Sequence, residues 1–372
     1  PEALGEFVSQ YKSLAVTGSH GKTTTTAMLA HVLHSAGLAP SALVGSQVPQ
    51  FAGNALVGSG ELFIFEADEY QNKLQYYKPS GVILTSIQWD HPDFFPSAQE
   101  YQAAFVEFLK KIPADGFVVA CYDSESVKQA VAAANLTPAQ VSTYGLSQGN
   151  TKLMRMWLDE GKWHFSATEG EEYLGEFWLK LVGSHNVANA LAVIACARRL
   201  GVDIEKIRTG LASFEGTSRR FEQKGRLMNS VMVVDDYAHH PAEIAATLKA
   251  ARAFYPYKLI RCVFMPHTWS RTRALLADFG TAFKDADEVV LMETYASARE
   301  QGGGVSIDEL ATEIKKHHPN VVLQPTIAEA SQYVGDTTNR NQLVITMGAG
   351  NVWQVGDELI KRFGLMTDSE FK

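Results

Sequence analysis

Short apolar runs and longer amphipathic stretches alternate along the chain. Leu14, Ala15 and Val16 form an unbroken apolar run, and the helical spacing over 24–36 then predicts a helix. Residues 62–65, 82–84 and 117–121 repeat the apolar signal, with a helix predicted over 98–111. Runs that are apolar at every position suit strands covered on both faces, so the pattern predicts parallel strands with helices on either side. Over 153–181 the pattern changes. Trp157, Trp163, Phe165, Phe177 and Trp178 alternate with charged residues, which predicts antiparallel strands or hairpins ahead of a helix over 186–200. A second series begins near Met232, with strands over 231–234, 259–264, 288–292 and 343–346 and helices over 242–254 and 273–284. The turn-rich segment 214–218 separates the two series, dividing the chain into expected domains of residues 1–216 and 217–372. A helix-like stretch opens the chain, and the polar tail after Leu365 is expected to fray.

Composition narrows this picture. The 372 residues carry 33 Lys+Arg against 41 Asp+Glu, a formal charge of −8, with 46% hydrophobic and 20% charged residues. That balance excludes a disordered chain and gives no overall attraction to nucleic acid or an anionic membrane, so any phosphate must be recognised locally. The longest apolar run, 187–197, is interrupted by Asn189 and falls short of the roughly 20 residues needed to span a bilayer. Three widely spaced cysteines (Cys121, Cys196, Cys262) without CxxC pairing exclude a disulfide framework, argue against structural zinc and fit a reducing cytoplasm.

The strongest local signal is Ala15-Val16-Thr17-Gly18-Ser19-His20-Gly21-Lys22-Thr23-Thr24, a strand running through a glycine turn into a helix. Gly18 and Gly21 let the amides of Ser19, His20 and their neighbours converge on phosphate oxygens, and the helix N-terminus adds partial positive charge. Lys22 would meet the β- and γ-phosphates and the Thr23 hydroxyl would ligate Mg²⁺. Val16 stands where GxxxxGK[ST] has its first glycine, so the loop is a shortened variant; the bland alternative is a glycine turn capping a helix.

Other clusters sit beyond strand C-termini, where open α/β sheets hold ligands. Glu66-Ala67-Asp68-Glu69 follows the strand over 62–65. Glu66 is the favoured metal ligand because it adjoins the strand, while Asp68 and Glu69 read equally well as a solvated turn. Asp90-His91 follows 82–84, and a neutral His91 can bind a metal or simply be structural. Asp235-Asp236-Tyr237-Ala238-His239-His240-Pro241 and Met265-Pro266-His267-Thr268-Trp269-Ser270-Arg271 occupy the same position in the second series, where Arg271 suits bidentate capture of a carboxylate. These clusters read equally well as decorated surface turns. Arg219-Arg220 lies at the inferred hinge, where an Arg can reach a phosphate or form an interdomain ion pair. Gly348-Ala349-Gly350 is too short a glycine pattern to define a dinucleotide site.

Taken together, these motifs and His185-Asn186 resemble the Mur ligases, the ATP-dependent amide-forming family of peptidoglycan synthesis, over essentially the whole chain. The resemblance implies an α/β fold: a central P-loop ATPase domain with a mostly parallel sheet, then a Rossmann-like α/β domain. It implies ATP and Mg²⁺ as cofactors, an acyl-phosphate intermediate and attack by an amino group. In this scheme Gly18, Ser19, His20, Gly21, Lys22, Thr23 and Thr24 hold the phosphates, and Thr23, Glu66 and His91 match the metal positions. Asn186 and Asp236 match positions near adenine and ribose, and Arg220 reaches the phosphates, so that Lys22, Glu66, His91 and Arg220 carry the chemistry. Tyr237, His239, His267 and Arg271 match the amino-acid pocket. The double-His and PHxxSRT motifs point to the member type that joins L-alanine to UDP-N-acetylmuramate in the cytoplasm, with the murein-peptide type of peptidoglycan recycling as the alternative. Several family members carry a modified lysine about fifteen residues after the metal His; here Val106 and its neighbours offer none, and Lys110 is the first candidate. The family also begins with a domain for the UDP-sugar, so the start at Pro1 raises the further expectation of a nucleotide-binding fragment inactive without that domain.

Overall fold

In the computed structural model, which describes residues 1–227, 230–296 and 304–363, the chain forms two compact units, Pro1–Ser218 and Arg219–Lys372. The expected fraying of the tail after Leu365 lies outside the described residues.

The first unit opens with α1 (Glu2–Val8) and is built on ten strands: β1 (Lys12–Thr17), β2 (Ser41–Val48), β3 (Gly53–Leu56), β4 (Leu62–Glu66), β5 (Gly81–Leu84), β6 (Phe117–Cys121), β7 (Val141–Gly145), β8 (Thr151–Asp159), β9 (Lys162–Glu169) and β10 (Glu172–Leu179). Their order is β10-β9-β8-β7-β6-β5-β1-β4-β2-β3. The run from β8 through β7, β6, β5, β1 and β4 to β2 is parallel, as the continuous apolar runs require; β5 and β6 are buried at every position. Antiparallel pairs close both ends, β3 on β2 and the β8-β9-β10 hairpins expected from the aromatic alternation. Phe165 and Phe177 stack across that hairpin at 5.2 Å.

The helices are α2 (Lys22–Ser35), α3 (Ala98–Leu109), α4 (Glu125–Ala133), α5 (Ser184–Arg199) and α6 (Ile204–Ser213). Helix α2 is buried along its whole length from Thr23 to Leu33, packed with α5 and α6 in one core, while α3 buries Tyr101, Phe105 and Phe108 in a second core on the other face. Ser97 starts α3 by accepting the Glu100 amide.

The second unit has six strands, β11 (Glu222–Arg226), β12 (Met232–Asp236), β13 (Leu259–Phe264), β14 (Glu288–Leu291), β15 (Val321–Leu323) and β16 (Gln342–Met347), ordered β11-β12-β16-β13-β14-β15 and parallel except for β11. Its helices are α7 (Pro241–Phe254), α8 (Trp269–Ala274), α9 (Leu276–Thr281), α10 (Ile307–Lys315), α11 (Ile327–Thr337) and α12 (Trp353–Phe363). The single helix expected over 273–284 is instead α8 and α9, bent at Leu275 (φ −112°, ψ 22°). Backbone bonds continue across the bend, from the Leu275 amide to Arg271 O and from the Phe279 amide to Leu275 O, both 3.0 Å, because buried Leu275 docks into the core. The earlier start carries a consequence: Arg271 lies in a helical turn rather than in a strand-end loop.

Candidate functional sites at the strand ends of two sheets

The order β5-β1-β4 brings three loops to one end of the first sheet, and each carries chemistry expected from the sequence. Gly18 (φ +128°) and Gly21 (φ +78°) shape the turn after β1. A Cβ at Gly18 would lie 2.7 Å from Ser86 O and 2.8 Å from Ser86 N, so the close approach of the β1 and β5 loops requires glycine. The Ser19 amide donates to Ser86 O (2.9 Å), the His20 amide to Ser86 Oγ (3.1 Å), and the His20 ring pairs with Gln88 Oε1 (2.9 Å). Lys22, Thr23 and Thr24 form the first turn of α2, with both threonines nearly buried.

The Lys22 ammonium donates to Gly18 O (2.6 Å) and Glu69 Oε2 (2.8 Å). Burial alone would lower its pKa; the Glu69, Asp68 and Glu66 carboxylates outweigh burial and raise it, so Lys22 is charged. Glu69 is 0% exposed and also accepts from Tyr101 Oη (2.9 Å), which lies 2.9 Å from Ser19 Oγ. Of the two readings that the sequence leaves open for Glu69, the solvated turn does not hold, since the side chain is buried. The chain between β4 and the following helical turns folds inward, and the Lys22 charge together with the Tyr101 hydroxyl compensates its burial. Burial pushes the Tyr101 hydroxyl pKa well up, and Glu69 adds to this. Glu69 is legible in the sequence as one of two even alternatives, and Tyr101 is not legible as functional at all. Tyr101 shares a helical stripe with Phe105 and Phe108 and so reads as core.

His91, in a left-handed conformation (φ 56°), turns back so that Nε2 lies 3.6 Å from Glu69 Oε1. Asp68, Glu69 and His91 each offer a ligand atom within 4.8 Å of the others, a donor set of hard oxygens and imidazole that fits a divalent cation. Glu66, favoured from the sequence, ends β4 and accepts the Gly45 amide (3.0 Å) instead, while remaining near enough to Lys22 to affect its titration. Asn186 is buried at the start of α5. Its side-chain Nδ2 donates to Val182 O (2.9 Å) and its Oδ1 accepts from Asn189 Nδ2 (3.2 Å), whose own Oδ1 stands 2.7 Å from where a Cβ would be on Gly21. Helix α5 thus abuts the loop through Asn189, a residue the motifs did not single out.

In the second unit the order β12-β16-β13-β14 brings a second set of loops together. Asp236 accepts the Phe221 and Ala238 amides, both at 2.8 Å. Burial nevertheless raises its pKa to about 6, a shift that Arg220 and the two amides only partly offset. Arg219 pairs with Asp235 (2.9 Å) and donates to Gly348 O (2.7 Å), and both Arg219 and Arg220 lie 5.0 Å over the Tyr237 ring. Rings then follow in sequence: Tyr237 edge-on to His239 (5.3 Å), His239 edge-on to His267 (6.0 Å), and His267 stacked on Tyr295 (6.0 Å, 18°). Arg271 is 3% exposed, and its Nη1 lies 3.2 Å from His267 O and 3.3 Å from His267 Nδ1. The structure thus gathers the four residues expected at an amino-acid pocket and adds Tyr295, which no motif marked.

Two α/β units, each gathering chemistry-bearing loops at the C-terminal ends of its parallel strands, one of them around a lysine at a glycine turn, place the chain among open α/β-sheet proteins of the kind that hold ligands beyond their strand ends. The Mur ligase middle domain matches residues 16–197, and the Mur ligase glutamate ligase domain matches residues 219–350. The chain belongs to the Mur ligase family. It is 39% identical, over 97% of its length and 79% of the relative's, to the UDP-N-acetylmuramate–L-alanine ligase of Desulfitobacterium hafniense (strain Y51). It is 38% identical, over 96% and 77%, to that of Caldanaerobacter subterraneus subsp. tengcongensis. The crystal structure of the UDP-N-acetylmuramate-alanine ligase of Thermotoga maritima superposes with a TM-score of 0.81 at 26% identity, covering 97% of this chain and 78% of that one.

Proposed function

We propose that the chain is an ATP-dependent amide-forming ligase of peptidoglycan synthesis that joins L-alanine to UDP-N-acetylmuramate. The observation that carries this reading is the meeting of Lys22, Glu69 and His91 at the ends of three adjacent parallel strands. Similarity to alanine-adding ligases over nearly the whole chain supports the choice of substrates.

In the proposed reaction the sugar's carboxylate attacks the γ-phosphorus of ATP and expels ADP. The amine of L-alanine attacks the resulting acyl phosphate, loses a proton, and inorganic phosphate leaves as the amide forms. The chain's own contribution is to bind and orient. The loop amides and the Lys22 ammonium neutralise the phosphate oxygens, while the buried Arg271 fixes the amino acid's carboxylate so that its amine is free to attack. Asn186, in the same unit as the loop, would serve the nucleoside. Mg²⁺, held by His91 with carboxylates from Glu66, Asp68 or Glu69 and the Thr23 hydroxyl, would supply charge neutralisation of the phosphates. Among the described residues no helix is long and apolar enough to cross a membrane, and the three cysteines are unpaired. We place the reaction in the cytoplasm, where ATP is available.

The test is phosphate release from ATP with UDP-N-acetylmuramate and a panel of amines. Release stimulated by L-alanine supports the reading; release stimulated solely by a tripeptide beginning with L-alanine would overturn it in favour of the murein-peptide type.

A further inference from the structure

We propose that Tyr295 forms the side wall of the amino-acid pocket and limits the size of the side chain admitted there, with Gly350 as the seat that holds its ring. This rests on the reading above that Arg271 receives the amino acid's carboxylate.

The Tyr295 backbone is tied from both sides to the loop after β13. Its amide donates to Pro266 O (2.8 Å), its carbonyl accepts from the Thr268 amide (3.1 Å), and a parallel bridge pairs it with His267. The residue is nonetheless 44% exposed. A side chain this exposed is no core residue, so a backbone fixed at both ends serves to aim the ring along the surface of the site. It lies flat on His267, beside the group that touches Arg271. An amino acid anchored at the guanidinium therefore presents its side chain to the His239, His267 and Tyr295 rings.

Gly350 supplies the second observation. A Cβ there would fall 2.7 Å from Tyr295 Cγ and 2.9 Å from both its Cβ and Cδ2, closer than real side chains approach. Gly350 has no positive φ, whereas Gly348 does (+145°). The first glycine of this Gly-Ala-Gly segment meets a backbone requirement, and the second leaves space for a ring. A glycine pattern too short to define a nucleotide site thus finds a use on the acceptor side.

The experiment compares the unchanged chain with Tyr295→Ala, Tyr295→Phe and Gly350→Ala, using L-alanine and L-valine as acceptors in the phosphate-release assay. Tyr295→Ala should raise the KM for L-alanine and reduce the preference for L-alanine over L-valine, each about ten-fold, the scale on which apolar pockets separate such substrates. The Kd for ATP should not change. Tyr295→Phe should behave as the unchanged chain, and Gly350→Ala should shift the preference in the same direction as Tyr295→Ala. Circular dichroism melts verify that each variant is folded. An unaltered preference in folded Tyr295→Ala would overturn the inference. Failure of the functional reading is seen instead in the unchanged chain; if it accepts only the tripeptide, the same preference is measured with alanine or valine as its first residue. Saturation-transfer NMR reads the contact without turnover: transfer to the methyl group of L-alanine should fall in Tyr295→Ala and persist in Tyr295→Phe. No transfer from the unchanged chain would overturn both readings.

Discussion

The two sheet-end sites are built from different materials. The site in the first unit is held by charge: Lys22 is locked onto Glu69 and the loop carbonyls, and Glu69 onto Tyr101. The site in the second unit is held by rings that contact one another in series around one buried guanidinium. A polyanion needs its counter-charge fixed in advance, and a buried carboxylate keeps that charge in place before the phosphates arrive. A small zwitterion needs one strong anchor and a shape, which stacked rings provide with little conformational freedom to lose.

The comparison fails if the charged site tolerates loss of its charge. Lys22→Ala should reduce ATP-dependent phosphate release about a thousand-fold and abolish measurable ATP binding by calorimetry. It also leaves Glu69 buried without its partner, costing about 3–5 kcal/mol of stability in denaturant titrations. Lys22→Ala combined with Glu69→Gln should recover much of that stability without recovering activity, separating the folding and binding roles of the pair. On the ring side, Arg271→Ala should weaken use of the amino acid by about 2–5 kcal/mol, read as a raised KM for L-alanine with the Kd for ATP unchanged.

A pH titration sharpens the contrast. Asp236 has a folded pKa near 6 against 3.8 in the unfolded chain, so between those values the folded state holds the extra proton. Stability contributed by that proton is full below about pH 4 and declines as pH rises through 6, by up to about 3 kcal/mol. Asp236→Asn should flatten this part of the stability profile. The smallest effect is expected from Tyr101→Phe, which removes the hydroxyl's hydrogen bonds to Glu69 and Ser19: about 1–2 kcal/mol in stability and a few-fold change in ATP affinity.

The strands that position both sites were legible because β1, β4, β5, β12, β13 and β16 are nearly continuous apolar runs, and chemistry at their C-terminal ends follows from parallel-sheet topology. Strands β2 and β3 were missed because they form an antiparallel sheet end, where polar residues and Gly45 interrupt the pattern. Glu69 stayed undecided between ligand and solvated turn because a carboxylate near a strand end gives no sign of whether the chain turns inward, and its compensating partners lie 47 and 32 residues away. Tyr295 joins the second site through a backbone bridge, flanking hydrogen bonds and a ring stack on the loop after β13, pairings of the folded chain that no local spacing announces.

Helix α2 has one further consequence. It begins at the phosphate loop with four consecutive threonines and is buried from Thr23 to Leu33 between the sheet and two other helices. It therefore has no face that can open to solvent by itself, and its amides should exchange with deuterium only through cooperative unfolding of the whole first unit. The proposed nucleotide site should accordingly keep its shape up to the melting transition and be lost within it, giving warming no intermediate stage in which the unit is folded but unable to bind.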